Sequence, residues 1–418
     1  MKDTDFNLAK NIKGTQSSKA KEAEIIIDEY DEEDDDDDDF EETPSSSNQP
    51  NLKDQMTKFA FVIIGGIVII VLLIIIVLSL MNRSYTYEEI EQIMVNAAES
   101  YFKKNPESLP TGTSSIEIDC GTLSAAGEMK PLEEYLPEGS VCTGSVNVQS
   151  SNGVYLYTPK LNCGELYMTQ ELYRVVENNN KNTSNGYGLY NKAGNKVFRG
   201  EVVNNYVQLD FRVWRIVKIT SSGEMVLITD EYPSYGLAWD DRYNQSVDYA
   251  SGINSYATSR IKESINEFLK YPEDTEEAEL FLSDKDKARI VPFNLCTGKR
   301  SKTEQGSDNA AECREVAKQQ LVGLLTVSDY MSASTDTNCK SSLSAACQNY
   351  NYLVNGEEWW TATPVKENTY EAYSIDTDGE IKTKTVNNYS NLRPVIHLNS
   401  RTLYKSGDGS KENPYIVK

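Results

Sequence analysis

From Phe59 to Met81 the chain runs 23 residues without a charge, 18 of them Ile, Leu, Val or Phe. As a helix rising ~1.5 Å per residue this run is about 34 Å long, enough to cross a bilayer. On an insertion scale of roughly −0.3 to −0.6 kcal/mol per apolar residue it contributes on the order of −5 to −11 kcal/mol. A cleaved secretion signal starts at the N-terminus and ends in a small-residue cleavage site. This run starts at residue 59 and ends in Ser79-Leu80-Met81-Asn82-Arg83. The expectation is a single-pass membrane protein with a transmembrane helix over 59–81, serving as a signal anchor.

The two flanks differ. Residues 1–58 carry 7 Lys against 18 Asp and Glu, and thirteen of the fifteen positions Asp28–Glu42 are acidic, so self-repulsion predicts a disordered tail. Asp34 to Asp39 read either as a docking tail for a basic cytoplasmic partner, or a loose divalent-cation chelator, or as a solvated spacer. Lys53 and Lys58 before the run face Arg83, Lys103 and Lys104 after it, which leaves the positive-inside rule almost silent. The cysteines decide the orientation. All seven (Cys120, Cys142, Cys163, Cys296, Cys313, Cys339, Cys347) come after the run, and a disulfide-bearing region belongs in an oxidising compartment. Seven scattered buried thiols are the competing reading. The chain is therefore placed in the plasma membrane, N-terminus cytoplasmic, C-terminal region extracellular.

Beyond residue 84 two α+β ectodomains are expected. Over 84–175, Thr86-Tyr87-Glu88-Glu89 has the form of a capping box ahead of Ile90, Ile93, Met94, Ala97 and Tyr101, which share one helical stripe ended by Asn105-Pro106. An antiparallel ribbon comes next, Ser145–Val148 and Val154–Tyr157 around Ser151-Asn152-Gly153. Cys142 and Cys163 flank the ribbon, within disulfide reach, leaving Cys120 odd. The polar, Asn-rich stretch 176–195 reads as a linker. In 196–418, Val213–Ile219 and Glu224–Thr229 form a hairpin, Thr258–Leu269 a helix, and Leu321–Val327, Glu371–Ile375 and Pro394–Leu398 further strands.

The ordered set Asn204-Asn205-Tyr206-Val207, Trp214–Ile219, Gly323–Tyr330, Trp359-Trp360-Thr361-Ala362-Thr363-Pro364 and Leu392-Arg393-Pro394-Val395-Ile396-His397-Leu398 resembles an uncharacterised domain of Gram-positive bacterial surface proteins. The resemblance covers about residues 196–418, including the Gly-Asp-Gly-Ser and Asn413-Pro414-Tyr415 ending. That domain is remotely similar to C-type-lectin-like and sulfatase-modifying-factor folds, which implies a tryptophan-rich core under irregular loops. Residues 85–170 are faintly similar to a pilin-like membrane-proximal region. They depart from true prepilins, because Phe59–Met81 holds no glutamate, so filament assembly is not expected.

Composition narrows the chemistry. A net charge of −23 argues against nucleic acid as partner, and one histidine, His397, excludes a Ser-His-Asp triad and a zinc site with several imidazoles. His397 reads as a satisfied strand residue. Cys296 and Cys313 enclose a polar insertion with no core of its own, and Cys339 and Cys347 close a Ser-rich loop. Both pairs suit disulfides better than zinc, since no Cys-x-x-Cys knuckle is present. Asp376, Asp378 and Asp408 look like turn residues; no cofactor is expected, with calcium the only ion left open. The candidate recognition residues are Trp239, Asp240 and Asp241, an aromatic face beside hydrogen-bonding groups; Trp359 and Trp360, one of which strand alternation sends outward; and Arg393. The functional expectation is a non-enzymatic surface recognition or adhesion protein for an extracellular protein or glycan. The alternatives are a cell-envelope hydrolase, marked by two carboxylates converging in a pocket, and a scaffold or sensor working through the acidic tail.

Overall fold

A computed structural model describes Gly66, Val68–Leu72 and residues 85–418 except 113, 138, 152–153, 211, 232–235, 244–251 and 269–281. The expectation of a single-pass membrane protein with α+β ectodomains is corrected. The described chain is built mostly of β-strands with few, short helices, and among the described residues no helix is long and apolar enough to cross a membrane. Of the run Phe59–Met81 only Gly66 and Val68–Leu72 are described, as helix; the rest of it and the acidic tail lie outside the described residues. The contact pattern divides the chain after Met81, and Asn82–Lys418 is one compact unit made of two lobes.

The first lobe is a helix laid on a small sheet. Thr86 caps α1 (Tyr87–Lys104) with the expected box, its hydroxyl accepting from the Glu89 N–H while Glu89 accepts from the Thr86 N–H, and Asn105 ends the helix. Strands β1 (Ser115–Asp119), β2 (Thr143–Ser151) and β3 (Val154–Asn162) form an antiparallel meander in that order. Ile90, Met94, Ala98 and Phe102 of α1 pack on Val146, Val148 and Leu161, with Cys120 and Leu123 from α2 (Cys120–Ala125) closing one end. This cluster is apolar, with the buried polar side chains of Glu91, Asn147 and Thr158 beside it. Cys142 and Cys163 are bonded at the base of the β2–β3 ribbon, as its ends require.

The stretch 176–195, expected as a linker, is folded. Helix α3 (Leu172–Asn180) buries Leu172 and Val176 in the second core, and β4 (Gly188–Lys192) pairs with β5 (Asn195–Arg199). Most of its asparagines lie on the exposed side or in the turn, and the buried Asn180 is satisfied by the Val176 carbonyl and the Tyr415 hydroxyl, while Leu172 and Val176, one helical turn apart, dock the helix.

The second lobe is organised by an eight-stranded sheet whose central strand is β7 (Arg212–Ile219). On one side β7 pairs with β8 (Met225–Thr229), then β16 (Val395–Leu398); Gly223 at φ 83° makes the hairpin turn that a Cβ residue disfavours. The other side of β7 is shared by β5 and β6 (Tyr206–Leu209), and β18 (Tyr415–Val417) joins β6 in parallel and carries β17 (Tyr404–Ser406). Against this sheet pack β9 (Leu237–Ala238), α4 (Arg260–Glu267), α5 (Asp284–Lys287), β10 (Phe293–Cys296), β11 (Val316–Gln320), α6 (Val327–Ala333), the antiparallel set β12 (Trp359–Pro364), β13 (Glu371–Ile375) and β14 (Ile381–Thr385), and β15 (Tyr389–Ser390). The strand expected over Leu321–Val327 is not one. Thr326 and Asp329 form a second capping box that starts α6, so the apolar run before it enters the core as irregular backbone, anchored by the Gly323–Val395 bridge.

Disulfides Cys296–Cys313 and Cys339–Cys347 are both present. The first insertion has a core after all, a polar one: Arg300 and Glu312 are both buried, their charged groups 3.3 Å apart, with Ser328 Oγ bonded to both.

Candidate functional site

Five of the six expected recognition residues are interior. Trp239 is buried, its indole N–H donating to the Thr361 carbonyl at 3.1 Å, and Tyr256 meets it edge-on. Asp240 is buried too and accepts from the Ile253 N–H and from Arg242 Nε, both at 2.8 Å, so it pins the loop. Only Asp241 reaches solvent, paired with Arg260 at 3.1 Å. Trp359 and Trp360 do point to opposite faces of β12, but both faces are covered. Trp359 packs edge-on against Tyr330, and Trp360 donates to the Leu237 carbonyl at 2.8 Å. Arg393 is buried across the Trp359 ring, donating to the Thr229 and Leu353 carbonyls. These groups fix the fold; they do not meet a partner. Asp376 and Gly379 (φ 86°) sit in the β13–β14 turn, and Asp408 accepts from the Ser410 N–H in another. Among the described residues no group of three or more acidic, Cys or His side chains is placed to hold a metal.

His397 lies on β16, stacked on Phe293 at 4.0 Å, with Glu224 3.9 Å away. Burial lowers its pKa, and Glu224 opposes this only in part. Cys120, the odd thiol, is buried and pushed up to about 11 by burial and the nearby Asp119. Lys192 touches the oxygens of Ser307 and Ser332, and burial lowers its pKa, the make-up of a Ser–Lys nucleophile pair. The Ser332 hydroxyl, however, donates to the Ser328 carbonyl at 2.6 Å, so the lysine is a donor here. The contact staples the Cys296–Cys313 loop to β4.

Sequence reasoning missed a cleft of about 630 Å³ between the lobes. One wall is α1, whose positions 88, 91, 92, 95 and 99 recur at helical spacing and bring Glu88, Glu91 and Glu99 to one side. The other wall is mainly basic: Lys285 and Arg289 beside one carboxylate, Asp284, in the α5 region, and Arg401, Lys405 and Lys418 from the chain around β17 and β18. Residues 154–159 of β3 form the floor. The walls touch twice. Lys418 Nζ lies 2.6 Å from the buried Glu91 carboxylate, which also accepts from Tyr167 at 2.8 Å. Arg401 reaches Asn147, Gln149 and Ser115 of the first lobe, and Asn399 bonds Gln149 at 3.0 Å. Burial works against the Lys418 charge, but its bonds to Glu91 and Tyr167 raise its pKa.

Away from those contacts Arg289 is paired with Asp286 and donates to the Lys418 carbonyl. Among the described residues Glu88 and Glu99 on one wall, and Lys285 and Lys405 on the other, have no ion-pair partner. Partial burial, then the charges of Arg289 and Lys405, hold Lys285 below the ordinary lysine value. Burial lowers Arg289 to about 10. The helical spacing of the α1 glutamates was readable; their opposite wall, drawn from segments more than a hundred residues apart in sequence, was not.

Comparison with protein-family models, with curated proteins and with solved structures finds no match for this chain.

Proposed function

We propose that residues 85–418 form a recognition module that binds an extracytoplasmic partner, a protein or a glycan, in the cleft between the two lobes. The observation that carries this reading is the pairing of the walls. Where they touch, Lys418 meets Glu91 at hydrogen-bond distance and Arg401 meets the neutral side chains of Asn147, Gln149 and Ser115; where they part, Glu88 and Glu99 face Lys285 and Lys405 across an open volume of about 630 Å³. Such a cleft has the size of a ligand site and the polar groups to orient what enters it. The three disulfides support an oxidising compartment outside the cytosol.

The test is a glycan and secreted-protein array probed with the oxidised protein and with the double variant Lys285→Glu, Lys405→Glu. The wild-type protein should bind at least one array member, more weakly as salt rises, and the variant should lose that binding. Equal binding by the variant would place recognition elsewhere on the molecule.

A further inference from the structure

The floor of the cleft has an unusual composition. Six consecutive residues of β3, Val154 to Pro159, line it. Side chains alternate across a strand, so a cavity resting on one face of a sheet meets every second residue. A cavity that meets all of them in turn borders the strand's edge.

The β3 edge is available. In the meander β3 is the outer strand; among the described residues β2 is the one strand paired with it, and Asn162 at its end bridges to Met168. Its far end is covered, because Leu161 donates to Thr169 Oγ1 at 2.8 Å and accepts from the Thr169 N–H at 2.9 Å. Leu161 therefore points its backbone groups away from β2. In an antiparallel ladder that property recurs at every second residue, so Pro159, Tyr157 and Tyr155 point outward as well. Pro159 has no N–H to offer, which is the position a proline tolerates in an edge strand. Tyr157 and Tyr155 each keep one N–H and one C=O directed at the cleft.

Resting on the reading of the cleft as a recognition site, we propose that its ligand is an extended peptide segment of another protein, added as a further strand along β3. Charge complementarity selects this occupant. A strand laid on Tyr155 and Tyr157 runs between the unpaired carboxylates of Glu88 and Glu99 and the unpaired ammonium groups of Lys285 and Lys405. Its side chains alternate, so basic residues on one side and acidic residues on the other satisfy both walls, while the main chain satisfies the edge. A neutral glycan can meet the outward N–H groups with its hydroxyls, but it carries no opposite charge for the two carboxylates and the two ammonium groups. The order of recognition is then set: main-chain bonds hold any extended segment, and the walls choose among sequences.

The experiment uses a displayed library of random short peptides, selected on the oxidised protein at low salt. Enriched sequences should mix acidic and basic residues, and a synthetic copy of one should slow deuterium exchange at the Tyr155 and Tyr157 amides. Tyr155→Pro removes an outward N–H without touching the β2 ladder and should weaken that peptide about tenfold. Tyr155→Ala, which keeps the N–H, should bind within about twofold of wild type and reports any loss due to the ring alone. The proposal is overturned if the Pro variant binds as tightly as the Ala variant, or if the two amides exchange at the same rate with peptide bound. It is equally overturned if no peptide is enriched while an array glycan binds and is lost on reversing Lys285 and Lys405; recognition by the cleft then stands and its peptide class falls. Protection of Tyr155 and Tyr157 that grows with protein concentration alone, with dimers in sedimentation, would assign the edge to a second copy and also overturn it.

Discussion

The two lobes that border the cleft are stabilised in different ways. The first packs Ile90, Met94, Ala98 and Phe102 of one helix on a three-stranded sheet, with Glu91 at the rim as the buried acid that reaches the second lobe. The second threads Arg300, Glu312, Arg393 and Asp240 through a core that also holds four buried tryptophans. An apolar core accepts substitutes of similar volume, whereas a buried charge demands its partner. The difference teaches where the fold is tolerant and where it is specified group by group.

The contrast can be broken by near-isosteric swaps. Arg300→Met leaves Glu312 buried and unpaired and should cost about 3–5 kcal/mol in urea unfolding, with much of the loss restored by adding Glu312→Leu. A loss below about 1 kcal/mol would mean that the polar core contributes little. At the lobe boundary, Glu91→Gln removes the charge that Lys418, Tyr167 and Thr169 share and should cost about 2 kcal/mol, read in the same assay. Met94→Leu in the first lobe should cost less than about 1.5 kcal/mol, and a larger loss would contradict the account of that core as tolerant.

The smallest effect is one of pH. His397 has a folded pKa below its ordinary 6.5, so the unfolded chain binds the proton more readily. Its contribution is fully present above pH ~6.5 and is lost as pH falls below that value. Thermal unfolding of His397→Gln should therefore be flatter than wild type from pH ~6.5 down to where carboxylates begin to titrate, near pH ~4.5. Parallel curves would show that His397 is not held neutral. Asp329 behaves otherwise: burial alone would raise it, but Lys218 and bonds from Asn309 and Thr326 hold it at about 2, so its contribution persists until strongly acid pH.

Legibility in the sequence divides along the same line. The Thr86–Glu89 box, the β2–β3 ribbon and the Cys142–Cys163 bond are local signals, legible because each is written within a few residues or at the ends of one hairpin. In the second lobe the β7–β8 hairpin and the short-range disulfides were legible on the same ground. The tryptophans were not. Alternation told correctly that Trp359 and Trp360 face opposite ways, yet which faces are covered depends on β9, β15 and α6, and no local pattern carries that. The Thr326–Asp329 box was as readable as the first, but the apolar run before it looked like a strand. The cleft was illegible for a deeper reason: its basic wall is assembled only when the chain from Arg401 onward returns beside α1.

The central claim is that recognition occurs in the cleft between the lobes and not on the Trp239 loop. Deuterium exchange across the protein, with and without a partner found on the array, tests it most directly. The account predicts slowed exchange at Val154–Thr158 and in the segment Asp284–Arg289, with the Trp239–Tyr243 loop unchanged. Slowed exchange at Trp239–Tyr243, with the floor of the cleft exchanging as in the free protein, would contradict it.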